Sequence, residues 1–349
     1  MSLSAQLELP RALPIAGARR LAGRAAVSAA LAAAEDDAQR RQRKQMSHAA
    51  RLAAAVIQGA LGAAGWTEGR ETTGAFLGVG GSGAELAELT ALLSGSTADG
   101  RFSLRRFGER GLGAANPLLA FQLMNNFTLC HGAIQCGLGG PSGAFFSRGA
   151  GTVAALAAAA WAIIEGQCPR AVAGGADSAL HPVTLAELRR AGALGAGLVP
   201  DEGAAAVALA AEAAAAEVEL VACAVLPGEH EGPQPDSALI ASLDPLPLRS
   251  ALQAALATAV LAASEAVVMS AAVPQLGDFL AAELHRALPR IACIARDAPG
   301  ETLAAAPALA LGQALELFAD PAHGGLRQAA ILTIGLDGEL GVVAVRRRA

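Results

Sequence analysis

Aromatic side chains are scarce. The chain has no tyrosine, two tryptophans and nine phenylalanines, 3% in all, which leaves no stacking platform for single-stranded nucleic acid. Charge is thin as well: 16% of residues are ionic and the net charge is −5, so no electrostatic grip on a DNA duplex is expected. Lys44 is the single lysine. The five cysteines (Cys130, Cys136, Cys168, Cys223, Cys293) are odd in number and scattered. They fit neither a disulfide framework nor paired zinc spacings, and they read as reduced, buried thiols of a cytoplasmic protein. Long apolar runs are missing too. Gly149 to Ile164 is uncharged, but half of it is alanine, and a spanning helix needs about 20 strongly apolar residues. Pro10 and Pro14 interrupt an Arg-bearing start that no apolar segment follows, so no signal peptide is expected.

Small and apolar residues are abundant. Hydrophobic residues make up 53% of 349, with 40 glycines. That excludes disorder and supports about two domains, or one large double-layered domain. Residues 1–38 are Ala/Arg/Pro-rich and read as irregular. A helix is predicted over 39–64, where Met46, Ala49, Leu52, Ala53, Val56, Ile57 and Ala60 recur in steps of three and four. A buried strand over 73–79 precedes a glycine turn and a helix over 84–93. Residues 94–113 read as a surface loop, 116–129 as helix, 140–146 as strand and 149–165 as a helix of very small residues. Strands follow over 171–175, 204–211 and 218–226. The second half repeats the rhythm: helix 248–263, strand 266–270, helix 279–288, strand 290–295, helix 303–318, and closing strands 329–335 and 341–345 around Asp337-Gly338. Such strand–helix alternation means an α/β protein with buried sheets, and the two matching small-residue helices hint at duplication. The halves are drawn at 39–212 and 213–349.

Several motifs compete for chemistry. Gly78, Gly80 and Gly83 fit G-x-G-x-x-G between strand and helix, but no strand ending in an acid follows at the spacing a dinucleotide fold requires. A tight turn is the plainer reading. Ser82 lies in a near miss to the nucleophile elbow, with Asp278 or Asp297 and His323 in suitable order, though nothing marks them as a set. Cys130, His131 and Cys136 lack metal spacing, and His131 reads as a core histidine. Arg40, Arg41, Arg43 and Lys44 would be a solvated helix start or a dock for an acidic partner.

The segment Gly137-Leu-Gly-Gly-Pro-Ser-Gly-Ala-Phe-Phe-Ser-Arg-Gly-Ala-Gly151, the alanine helix after it, and Ala173-Gly-Gly-Ala-Asp177 resemble the β-ketoacyl synthases. The resemblance implies a thiolase-like fold: two pseudo-repeated βαβαβ halves in an α-β-α-β-α arrangement. The family places a nucleophilic cysteine at the start of the small-residue helix, where the helix N-terminus lowers a thiol pKa. The matching position here is Gly149. The family's two histidines and lysine match Ser270, Glu301 and Arg296. Pro200-Asp-Glu-Gly-Ala-Ala and Gly335-Leu-Asp-Gly-Glu-Leu-Gly341 resemble two further family segments. With nucleophile and both histidines absent together, the chain is similar to the chain-length factors of type II polyketide synthases, inactive homologues that pair with an active ketosynthase.

That resemblance implies a non-catalytic subunit without cofactor or metal. Its partners would be an active ketosynthase and an acyl carrier protein, in an aromatic, polyene or aryl-polyene pathway. The interface would run along Gly140, Pro141, Ser142, Gly143, Ala144, Phe145 and Phe146. The acyl tunnel would close against Leu119, Met124, Phe127 and Thr128. The alternative is a repurposed thiolase-fold enzyme, a decarboxylase or hydrolase of acyl thioesters using Ser82, Ser147 or Glu301.

Overall fold

The computed structural model describes residues 7–33, 45–81, 83, 86–228, 245–298 and 300–348. Among the described residues ten strands join one hydrogen-bonded sheet: β1 (Glu8–Ala22), β2 (Gly74–Val79), β3 (Ser142–Phe146), β4 (Arg170–Ser178), β5 (Glu202–Ala210), β6 (Val218–Pro227), β7 (Ala266–Ala271), β8 (Ala292–Ala295), β9 (Gln328–Ile334) and β10 (Glu339–Arg347). Their order across the sheet is β8-β7-β9-β10-β6-β1-β5-β4-β2-β3. The helices are α1 (Gly23–Ala33), α2 (His48–Ala63), α3 (Leu86–Ser96), α4 (Leu119–Leu123), α5 (Phe127–Cys136), α6 (Gly151–Ile164), α7 (Pro182–Arg190), α8 (Arg249–Leu256), α9 (Pro274–Ala287) and α10 (Ala306–Ala319), with shorter helical turns between them.

The strand order carries an internal duplication. β1-β5-β4-β2-β3 and β6-β10-β9-β7-β8 are the same arrangement repeated. Each half pairs first strand to last and last to fourth antiparallel, then fourth to second and second to third parallel. The halves meet where β1 and β6 pair antiparallel. The sheet folds back so that α6 and α10 lie between its halves: α6 packs on β2 and β4 and reaches β6, while α10 packs on β7 and β9 and reaches β1 and β5. Three cores result. Leu52, Ile57 and Leu77 belong to the outer core under α2. Leu156, Val207, Leu311 and Ile331 fill the middle. Leu252, Leu276, Leu280 and Leu332 fill the outer core under α8 and α9. Along β9, Ala329 and Ile331 face the middle core while Ala330, Leu332 and Ile334 face the outer one. This strict alternation, with both faces covered, explains why the strand sequence is apolar throughout.

The first strand corrects the reading of residues 1–38 as irregular. β1 is a 15-residue strand at the centre of the sheet and α1 follows it. Pro10 is tolerated because the pairing with β6 shifts register between Glu8 and Leu13 and Pro10 falls in that break, while Pro14 stands in register opposite Glu219. Its arginines find partners: Arg20 bonds Glu316 at 2.7 Å and also Asp297. Other boundaries move as well. Residues 94–113 hold the end of α3, a small hairpin (Thr97–Ala98 with Arg101–Phe102) and helical turns rather than a plain loop. The helix expected over 116–129 breaks into α4 and α5, and the one over 248–263 breaks after α8. Arg40, Arg41, Arg43, Lys44 and Ser82 lie outside the described residues.

Candidate functional site

The segment before α6 is where a nucleophile would stand. Gly149 lies two residues before that helix and is buried. A Cβ placed on it would meet Gly335 Cα at 2.4 Å, and one placed on Gly335 would meet Gly149 Cα at 2.1 Å. Two backbones therefore occupy the volume a cysteine side chain needs. Neighbouring contacts fix this closure. Asp337, in the turn between β9 and β10, accepts a hydrogen bond from Ser147 Oγ at 2.6 Å and another from the Arg148 amide. Ser147 Oγ in turn accepts from the amides of Gly149 and Ala150 at 3.0 and 2.9 Å. The amides that would steady a thiolate or oxyanion at this helix end are thus already taken. Ser147 is a clamp here rather than a nucleophile.

The remaining positions form a buried ionic cluster. Arg296 donates to Glu301 at 3.0 Å, with side-chain exposures of 7% and 4%. Glu301 also accepts from the Leu303 amide at 2.6 Å. That bond holds Leu303 at φ +51°, a left-handed conformation unusual for leucine. Asp177, at the end of β4, accepts from the Ser178 amide at 2.8 Å and the Ala304 amide at 3.3 Å. Burial pushes Asp177 up to about 7, against those amides and Arg148, and Glu301's charge adds to the rise. Burial likewise raises Glu301, although Arg296 and the amides of Leu303 and Thr302 oppose it. Nε and Nη1 of Arg296 have no hydrogen-bond partner. Ser270 is 97% buried at the end of β7. Glu301 and Arg296 therefore build a turn, with no free imidazole or amine for thioester chemistry.

The glycines after β2 have a packing role. A Cβ on Gly78 would lie 2.3 Å from the Thr152 amide of α6, so the motif lets that helix seat against the strand and frames no phosphate. The acid and histidine offered for a hydrolase have other partners. Asp297 pairs with Arg20, and His323 pairs with Asp320 at 3.2 Å on the surface. His131 is half-buried, and burial lowers its pKa.

β3 lies at one edge of the sheet and pairs with β2 alone. Gly140 and Pro141 form its entry, where Ala75 donates to Pro141 O at 2.9 Å. Ser142 and Phe146 are exposed, Phe146 by 55%, while Gly143, Ala144 and Phe145 are half-buried. Met124 and Ile134 are 52% and 66% exposed. Leu119 and Thr128 are buried, and Phe127 meets Phe121 edge-on at 4.8 Å.

Two five-stranded repeats around a pair of buried small-residue helices define a thiolase-like α/β protein. The family model of the β-ketoacyl synthase N-terminal domain matches residues 12–215. The chain belongs to the β-ketoacyl synthase family. A β-ketoacyl synthase from Burkholderia phymatum STM815 has a similar structure at 17% identity, TM-score 0.72, covering 97% of this chain and 100% of that one. The ishigamide ketosynthase/chain length factor superposes at 20% identity, TM-score 0.68, with the same coverage. A chain of AntDE:AntF, a type II PKS acyl-carrier protein in complex with its ketosynthase, does so at 12% and 0.71, again covering 97% and 100%. At these identities the likeness is one of fold. No curated protein matches. Among the described residues no helix is long and apolar enough to cross a membrane.

Proposed function

We propose that this chain is a chain-length-factor-like subunit, non-catalytic in condensation, that pairs with an active β-ketoacyl synthase and shapes its acyl tunnel in type II polyketide biosynthesis, polyene and aryl-polyene pathways included. The observation that carries this reading is the contact between Gly149 and Gly335. A chain whose backbone fills the nucleophile's volume does not form an acyl thioester there. Its contribution to a condensing reaction is then contact and shape. Family membership and the pairing of ketosynthase with chain length factor in the ishigamide relative support the same reading.

The pairing surface would centre on Gly140–Phe146. A strand edge that ends in exposed Phe146 suits the large apolar interfaces of permanent pairs, of order 2,000–5,000 Å². The growing chain would lie at this seam, with Leu119, Met124, Phe127 and Thr128 setting where it stops, and an acyl carrier protein would deliver it. Overlap of an apolar chain with packed side chains costs about 1–3 kcal/mol or more per clash, enough to slow elongation at a set length. Affinity purification of the chain co-expressed with its neighbouring synthase tests the proposal. A stable heterodimer is expected in which only the partner carries label from an acyl-carrier thioester. Label on this chain, or no partner at all, would overturn it.

A further inference from the structure

A second cavity, of about 320 Å³, opens at the carboxyl ends of β2 and β4. It is separate from the Gly149 position: neither Gly149 nor Gly335 lines it. The amino ends of two helices reach it, α2 through Ser47, His48 and Ala49 and α7 through His181 and Pro182. At its polar end His48 Nε2 lies 2.6 Å from Glu202 Oε2, and the same oxygen accepts from Ser178 Oγ at 3.2 Å. Glu202 is nearly buried at 10% exposure, whereas His48 is 45% exposed. Burial pushes Glu202 up, but His48, Ser178 and Arg24 together hold it below the usual carboxylate range. It is therefore an anion facing an imidazole. That carboxylate accepts from Nε2–H, so Nδ1 is the ring nitrogen left to take a proton. The opposite wall is apolar, with Met46, Leu86 and Leu180.

A carboxylate-backed imidazole in an amphipathic cavity is the arrangement of a general base. We propose that this cavity hydrolyses short acyl esters and thioesters, with His48 activating water and Glu202 positioning it. The acyl chain lies along Met46, Leu86 and Leu180. Water gives its proton to His48 Nδ1 as its oxygen bonds to the carbonyl carbon. The amino end of α2, whose Ser47, His48 and Ala49 line the cavity, would face the developing oxyanion. The intermediate then expels the alcohol or thiol, which takes the proton from Nδ1. Ester or thioester plus water becomes carboxylic acid plus alcohol or thiol, and His48 returns to its starting state. Nothing in this step depends on a partner subunit or on the vacant family positions.

The test uses the full chain with two probes, p-nitrophenyl butyrate and butyryl-N-acetylcysteamine, followed by release of p-nitrophenolate and of free thiol. Turnover above the buffer rate is expected with at least one probe, and comparing the two shows whether the site prefers the oxygen or the sulfur ester. His48→Gln is expected to lose about 100-fold or more in kcat/KM, the usual range for a general base. Glu202→Gln is expected to lower kcat about tenfold with little change in KM. Asp177 and His181, the other titratable groups lining the cavity, remain in that variant. Leu86→Trp, at an exposed rim position, is expected to raise KM about tenfold without disturbing the fold. Absence of turnover with both probes, an unchanged rate in His48→Gln, an unchanged kcat in Glu202→Gln, or an unchanged KM in Leu86→Trp would each overturn the proposal.

Discussion

Gly149 shows how far one missing side chain reaches. Restoring a family-like residue there does not restore chemistry, because the Gly335 backbone stands 2.4 Å from the new Cβ and must move with the turn that Asp337 pins to Ser147. Gly149→Ala is expected to cost about 1–3 kcal/mol by overpacking and Gly149→Cys at least as much. Chemical denaturation checks both, and intact mass after incubation with an acyl thioester should show no adduct on Gly149→Cys. Glu301 is bound as tightly to structure. Glu301→Ala would leave Arg296 charged, buried and unpaired, with two of its nitrogens already lacking partners. A loss of about 3–5 kcal/mol is expected, read from the denaturation midpoint.

At the scale of elements the two repeats differ between their fourth and fifth strands, where only the first repeat has a helix, α7, and more widely between their second and third. Between β7 and β8 runs the single helix α9, whereas residues 80–141 between β2 and β3 hold several helices and a hairpin. Exposed Leu93, Phe102, Leu112, Met124 and Ile134 all fall in that segment. The strands that follow also differ: β8 has four residues, while β3 has five and ends in exposed Phe146. Under the proposed pairing, this added asymmetry is the side that would meet the ketosynthase. Phe146→Glu puts a charge on that apolar edge and is expected to abolish co-purification with the ketosynthase. Phe146 is exposed, so the isolated chain should keep its melting temperature, and size-exclusion mass together with a thermal melt separates the two outcomes.

For the whole molecule, the carboxyls buried where the halves meet couple stability to pH. Asp177 titrates near 7 in the fold, against an ordinary value of 3.8, so the folded state holds its proton more tightly than the unfolded chain. Its contribution is full below about pH 4 and is lost as pH rises through about 7. Glu301 shifts in the same direction. Stability is therefore expected to fall between pH 4 and 7 with a slope of up to about 1.4 kcal/mol per pH unit from Asp177. Urea denaturation across that range should show the fall, and Asp177→Asn should flatten it.

Much of the frame could be read from residue order. Apolar runs such as Ala266–Ser270 and Ala329–Gly335, and the two small-residue helices, carry the duplication because both faces of each strand are covered and every position must be apolar. The helix α7 was not legible, since Leu185 and Leu188 give it only a brief periodic signal. β1 was hidden because its arginines and prolines argue against a central strand until Glu316 and Asp297 neutralise Arg20 and a register break absorbs Pro10. The absence of a thiol at residue 149 is fixed by composition alone. That its place is closed by Gly335, that Glu301 serves Arg296 and a strained turn, and that His48 meets Glu202 from 154 positions away were decided only by the tertiary structure. Contacts between distant segments depend on how the two repeats fold against each other, and no local pattern encodes that.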